Sequence, residues 1–142
     1  MAISADDHIA IERLMYRYAQ CADEKDYAGF SDVFCDDAVF VYAGNEITPL
    51  SEIQQLMHNL ERYRTTQHRV QNVLYDVEDQ RAVGTTYCLA SHLLQEGVEV
   101  SKIDMAITYR DALRLEDGQW LIARRHFDLL WTQTSRVDAT QL

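Results

Sequence analysis

Apolar residues fall into two periods along this chain, and the change from one to the other sets the order of its elements. Ile11, Leu14, Met15, Tyr18 and Ala22 recur at the three-and-four spacing of one helical face, so the spacing predicts an amphipathic helix from about Ala5 to Asp23 with that face against a core. Ser4, followed three residues later by Asp7, reads as its N-cap, and Asp6 and Asp7 complement the positive end of the helix dipole. Tyr27, Phe30, Val33 and Phe34 predict a short second helix, stopped by Asp36 and Asp37. Ala38–Tyr42 is β-branched and aromatic enough for a strand, and Ala43-Gly44-Asn45 turns it into a brief return through Ile47, a small hairpin. Pro49 or Ser51 opens a third helix whose stripe is Ile53, Leu56, Met57 and Leu60, ending near Tyr63.

From Thr65 the period becomes 2. Long strands are predicted over Thr65–Glu78, Arg81–Gln95, Val100–Leu115 and Trp120–Thr134, separated by the turn-forming residues Asp79-Gln80, Glu96-Gly97 and Glu116-Asp117-Gly118. Helices first and long antiparallel strands afterwards is an α+β pattern. Strands of roughly 14 residues exceed the usual 5 or 6, which predicts a strongly curved sheet. One domain of residues 1–142 is expected, with no repeat or linker.

Side-chain parity then suggests what faces inward. In Thr65–Glu78 the less charged set is Thr66, His68, Val70, Asn72 and Leu74, which places an imidazole and a carboxamide among apolar groups. In Arg81–Gln95 the inward set is Ala82, Gly84, Thr86, Cys88, Ala90 and His92, small until the histidine and therefore leaving room for a ligand. In the last strand Arg125 shares the apolar parity of Leu121, Ala123, Phe127 and Leu129, and a buried guanidinium there needs a carboxylate or an anionic substrate group. Asp23 closes the first helix about 100° from Ala22 and about 140° from Tyr18, on the flank of the buried face. A carboxylate in that position is either a solvated helix end or the base at the rim of a pocket.

Composition narrows the partners. The 142 residues carry a formal charge of −10 with only 13 Lys and Arg, which argues against nucleic-acid backbones and anionic membranes and for a neutral or cationic small molecule. The cysteines, Cys21, Cys35 and Cys88, are odd in number and widely spaced, fitting neither a disulfide framework nor a zinc knuckle. They read as buried thiols of a reducing compartment. No apolar run approaches the roughly 18 residues of a membrane span and the N-terminus lacks a basic-then-apolar leader, so a soluble cytoplasmic protein is expected. An outer sheet face bearing Val73, Tyr75, Val83, Tyr87, Leu89 and Leu93 is too apolar for water, which predicts a homo-oligomer formed through it.

Three stretches carry a resemblance. RYAQCADEKDYAGFSDVFCDDAVF (residues 17–40), TTQHRVQN (65–72) and YRDALRLEDGQWLIARRHFDLLW (109–131) resemble the SnoaL-like branch of the nuclear transport factor 2 superfamily, the branch similar to scytalone dehydratase. The match in pattern and order spans roughly residues 5–131. It implies an α+β cone, a strongly curved mixed sheet wrapped around three helices, with a pocket between helices and sheet, and a homodimer or homotrimer. In dehydratase-like members an aspartate ending the first helix pairs with a histidine on the first long strand, which acts as general base. By position these are Asp23 and His68. Tyr18, five residues before Asp23, matches a tyrosine that binds the substrate oxygen in some of these enzymes. His92, and more loosely Asn72 and Arg125, correspond to pocket residues, and Tyr42 is a weaker candidate for substrate contact.

The implied function is a lyase, of the dehydratase or a related isomerising type, acting on a small apolar cyclic compound of polyketide, steroid or aromatic kind with neither metal nor organic cofactor. A non-catalytic ligand-binding or assembly module on the same fold is the alternative, and separation of Asp23 from His68 would favour it. An epoxide hydrolase ranks below both, because the inward positions offer histidine and asparagine rather than clustered carboxylates.

Overall fold

The first apolar stripe forms α1, Ala5–Asp23, over the predicted range. The chain is described by a computed structural model covering residues 3–138 and 140. The hydroxyl of Ser4 accepts the Asp7 backbone N–H at 3.1 Å, which satisfies one of the amide groups left free at the helix start. The far end closes tightly. Lys25 takes a left-handed φ of 55°, its N–H bonds to the Ala22 carbonyl and the Asp26 N–H bonds to the Cys21 carbonyl, the pairing of a Schellman cap. Asp23 is therefore held as the last helical residue, with its carboxylate fixed relative to the buried stripe of Ile11, Leu14, Met15, Tyr18 and Ala22.

The second predicted helix is only a 3₁₀ turn, Ala28–Asp32. The side chain of Asp26 accepts the Gly29 N–H at 3.0 Å, which favours a tight turn, and Gly29 weakens any longer helix. The β-branched and aromatic run then takes over at Phe34, four residues before the predicted strand start. The third helix opens with Pro49 as N-cap, runs as α2, Leu50–Met57, and tightens into a 3₁₀ turn, His58–Arg62. Among the described residues the expectation of three helices is thus corrected to two α-helices and two 3₁₀ turns.

Six strands follow: β1 Phe34–Tyr42, β2 Asn45–Ile47, β3 Thr65–Glu78, β4 Arg81–Glu96, β5 Glu99–Glu116 and β6 Gln119–Val137. Their order is β2-β1-β6-β5-β4-β3, with β1 parallel to β6 and every other pair antiparallel, so the sheet is mixed. Asp117 and Gly118, both at positive φ (50° and 77°), give the β5–β6 hairpin a turn that matches strand twist. One inner face packs on α1 and α2 to make the core. Among the described residues no helix is long and apolar enough to cross a membrane.

The sheet is not the strongly curled wrap that strand length predicts. Its long strands are interrupted by register shifts, and these also reverse parts of the predicted side-chain parity. On β3, Val70 pairs with Cys88 but Val73 pairs with Thr86, so one extra residue is inserted between them. Thr66, His68 and Val70 face the core as predicted, and then Val73, Tyr75 and Val77 do. Asn72 and Leu74, predicted inward, are exposed, while Tyr75, predicted outward, is 3% exposed. On β6, Leu113 pairs with Ile122 and Ala112 with Arg124, leaving Ala123 as the extra residue. Trp120 and Ile122 are therefore the buried residues that share the Arg125 face, not Leu121 and Ala123. The outer face loses Val73 and Tyr75 and bears Leu74, Val83, Tyr87 and Trp131 as exposed apolar groups.

Gly84, opposite Tyr75 on β4, accommodates the displaced strand. A Cβ there would collide with the Leu74 carbonyl oxygen and lie 2.6 Å from both Cα and Cδ2 of Tyr75. The small residue makes room for a neighbouring backbone and ring, not for a ligand. Gly84→Ala is expected to cost about 1–3 kcal/mol, read as a lowered urea midpoint with an unchanged slope, and an unchanged midpoint would contradict this packing.

Candidate active site

Thr66 and His68, two residues apart on β3, point together across the last turn of α1, where Asp23 ends the helix. The Asp23 carboxylate accepts the Thr66 hydroxyl at 2.9 Å, the His68 backbone N–H at 3.0 Å and the His68 ring Nδ1–H at 2.7 Å. An ionised carboxylate can only accept, so Nδ1 carries the proton and Nε2 is left as the basic nitrogen. Burial acts to raise the Asp23 pKa, but the hydrogen bonds from the His68 ring and backbone and from Thr66 outweigh it and hold the carboxyl below its usual range. The imidazole itself is nearly enclosed, its side chain 7% exposed against 24% for Asp23.

The His68 ring lines a cavity of about 160 Å³ between the helices and the sheet. Ala22, Phe40, Leu56, Met57, Ile107 and Phe127 supply apolar wall, and Tyr18, Tyr109 and His92 supply polar atoms further in. The mouth is made by Asn59, Arg62, Tyr63 and the half-exposed Tyr42. This volume is close to the roughly 150 Å³ that accommodates a benzene ring.

Tyr18 is 5% exposed, its ring meeting Phe30, Phe34 and Tyr109 edge-on at centroid distances of 5.7, 6.0 and 5.3 Å. Burial raises its pKa, offset only in part by Arg125 and Tyr109, and burial likewise raises that of Tyr109. Both phenols stay protonated and can donate to an oxygen in the cavity.

Arg125 and Asn72 are not part of the lining. Arg125 is fully buried beneath the tyrosines, its guanidinium carbon 4.3 Å from the Tyr18 ring centre and 4.0 Å from that of Tyr109. Asp111 supplies the carboxylate it needs, through contacts of 2.8 and 2.7 Å. Burial alone would lower the Arg125 pKa, and the Asp111 charge more than reverses this. Tyr75 donates to the same carboxylate at 2.5 Å and exchanges a hydrogen bond with Thr86 at 2.8 Å. Asp111 went unrecognised in the sequence, yet it shares the parity of Ile107, Tyr109 and Leu113, where an acid on an apolar face signals a buried partner. Asn72 is carried outward by the β3 insertion.

His92 is 4% exposed, and its Nδ1 is buried without a hydrogen-bond partner. Its ring lies 5.5 Å from that of His68 and 4.7 Å from that of Tyr63. Burial first, and then the nearby His68, lower its pKa to about 4. Between the ordinary histidine value and about 4 the unfolded chain binds a proton here that the folded chain does not. Stability should therefore be complete above pH 6.5 and fall as pH drops through that window, by up to about 3 kcal/mol. Urea unfolding at pH 7 and 4.5 should show a smaller loss in His92→Gln than in the unsubstituted chain, and equal losses would contradict the burial of a neutral ring.

The three cysteines are free and buried, and burial pushes each thiol up to about 11. Among the described residues no group of three or more His, Cys, Asp or Glu is placed to hold a metal ion.

A cavity between two helices and one face of a mixed six-stranded sheet, with a carboxylate–imidazole pair in its wall, defines a pocketed α+β protein of nuclear transport factor 2-like fold. Residues 4–126 match the SnoaL-like domain. The chain belongs to the SnoaL-like domain family. Among solved structures it is similar to a candidate scytalone dehydratase from Novosphingobium aromaticivorans, at 23% identity and a TM-score of 0.81 over 93% of this chain and 89% of that one. It is also similar to hexachlorocyclohexane dehydrochlorinase LinA-type3 from Novosphingobium barchaimii, at 19% identity and a TM-score of 0.79 over 92% and 90%. The Kfla4162 protein from Kribbella flavida gives 17% identity and a TM-score of 0.81 over 92% and 95%. At these identities the likeness is one of fold. No curated protein matches the sequence.

Proposed function

We propose that the chain is a lyase, or a closely related isomerase, that removes a proton from carbon in a small cyclic compound. The observation that carries this reading is the 2.7 Å contact between Asp23 and His68 in the wall of an apolar cavity. His68 Nε2 takes the proton from a carbon beside a carbonyl. The electrons of that C–H bond form the new double bond, and the leaving group on the adjacent carbon departs with the electrons of its own bond. Asp23 stabilises the resulting imidazolium through Nδ1–H, and Tyr18 or Tyr109 donates a hydrogen bond to the substrate oxygen. His92, neutral at pH 7, and Tyr42 at the mouth are the remaining polar contacts of the substrate. A halide departs as its anion, whereas a hydroxyl departs as water by taking a proton that the His68 imidazolium returns, directly or through Tyr18.

Two of the similar proteins carry names that denote elimination, of water and of hydrogen chloride, which supports the reaction type without fixing the substrate. The cavity volume favours one ring over a steroid skeleton. A panel of β-hydroxy and β-halo cyclic ketones should be turned over by the unsubstituted chain far faster than by His68→Ala. Turnover unaffected by the substitution would overturn the assignment, and binding without turnover in either would favour a ligand-binding module.

A further inference from the structure

The 3₁₀ turn His58–Arg62 sorts its side chains by threes, because residues three apart eclipse one another when there are three residues per turn. His58 and Glu61 form the outer side. The His58 ring stacks on Tyr27 at 3.9 Å, and Glu61 accepts the Tyr27 hydroxyl at 2.7 Å and lies 3.8 Å from Lys25 Nζ. Lys25 also donates to the Tyr63 carbonyl at 2.9 Å, which ties the end of the turn to the end of α1. Leu60 and Tyr63 form the second side and line the cavity. Asn59 and Arg62 form the third, both exposed and both lining its mouth. The turn is thus pinned from behind while a carboxamide and a guanidinium are presented together at the entrance.

Arg62 is electrostatically unspent. Arg17, Arg110, Arg114, Arg124, Arg125 and Arg136 each face a carboxylate; Arg62 shares the lack of one with Arg13, Arg64, Arg69 and Arg81, but of these it alone lines the cavity. Among the described residues the Arg62 side chain has no hydrogen bond or ion pair, and its guanidinium carbon lies 6.0 Å from the Tyr63 ring centre. Among the described residues no carboxylate lines the cavity, since Asp23 lies behind His68. In a chain of net charge −10, long-range attraction of an anion is absent, so recognition of one must be local, and a monoanion suffers less repulsion than a dianion.

We infer that the site takes a single-ring compound bearing a carboxylate, with Arg62 and Asn59 holding that group at the mouth while the ring enters the cavity. The substrate class rests on the proposed lyase reading, but the recognition is a matter of binding and is separable from the chemistry. A guanidinium meets a carboxylate through two parallel N–H···O contacts, and the Asn59 amide adds a further donor.

The test compares cyclohexanecarboxylate with cyclohexanecarboxamide, matched in shape and different in charge, titrated by NMR at pH 7.5 into the unsubstituted chain, Arg62→Gln, Arg62→Lys and His68→Ala. The acid should bind about three- to tenfold more tightly than the amide in the unsubstituted chain. The preference should persist in His68→Ala, weaken in Arg62→Lys and vanish in Arg62→Gln. Equal affinities in the unsubstituted chain, binding of neither probe, or a preference that survives Arg62→Gln would overturn the inference. An intact acid preference with no turnover of any cyclic ketone would contradict the lyase reading alone.

Discussion

Replacing Asp111 with alanine is expected to cost the fold about 3–5 kcal/mol, a large share of the roughly 5–15 kcal/mol that holds a domain of this kind together. The substitution leaves the Arg125 guanidinium fully buried with no counter-charge and removes the acceptor of the Tyr75 hydroxyl. Arg125 lies on the faces of Tyr18 and Tyr109, so the damage reaches the floor of the cavity. Removing both charges, in Asp111→Leu with Arg125→Met, should cost less than the sum of the two single changes, because no charge is then stranded. Urea unfolding of the unsubstituted chain, Asp111→Ala, Asp111→Leu, Arg125→Met and the double variant measures this. A loss below about 1 kcal/mol in Asp111→Ala, in the range of exposed pairs, would mean that the pair is not buried as described.

His68→Ala should lower turnover by about 10²- to 10⁴-fold, the usual worth of a positioned general base. Asp23→Asn separates the two contributions of the aspartate. Its amide oxygen still accepts the Nδ1–H and so keeps the ring oriented, but it cannot stabilise the positive charge that forms when Nε2 takes a proton. Turnover should therefore fall by about 100-fold or more while the affinity for a cyclic ligand changes little. Steady-state kinetics with a binding titration distinguishes the two, and loss of binding with normal turnover at saturation would reverse the roles assigned here.

Much of the chain's local structure can be read in its residues. The limits of α1 and of β3, and the turns at Asp79, Gly97 and Asp117-Gly118, follow from periodicity, a capping serine and turn formers, all local signals. Side-chain parity is legible only until a strand shifts register. Nothing in Val70-Gln71-Asn72-Val73 announces the extra residue, which appears only in its pairing with Thr86–Cys88 of β4; further along, Gly84 lets the β3 backbone and Tyr75 approach. Asn72 faces outward because of that extra residue, and the buried place of Tyr75 is not legible from parity. The turn His58–Arg62 was hidden in a similar way. Leu56, Met57 and Leu60 suit an α-helix as well as a 3₁₀ turn, and contacts from Tyr27 and Lys25, more than 30 residues earlier, accompany the tightening.

The Asp23–His68 pair was legible only through family resemblance. Spacing alone gives a carboxylate on the flank of a helix and an imidazole on one face of a strand, 45 residues apart, with no indication that they meet. Their meeting depends on α1 crossing β3 at its last turn, a tertiary fact. The sequence likewise leaves the Arg125 partner open between protein and substrate, and in the fold that partner is Asp111.

The most direct test of proton removal by His68 needs no knowledge of the natural substrate. Cyclohexanone in D₂O loses its ring hydrogens beside the carbonyl to a base, and ¹H NMR follows their replacement by deuterium. The unsubstituted chain should accelerate this exchange by about 10²-fold or more over His68→Ala, and beyond what the same concentration of free imidazole achieves. Exchange at the same rate in both proteins would contradict the account.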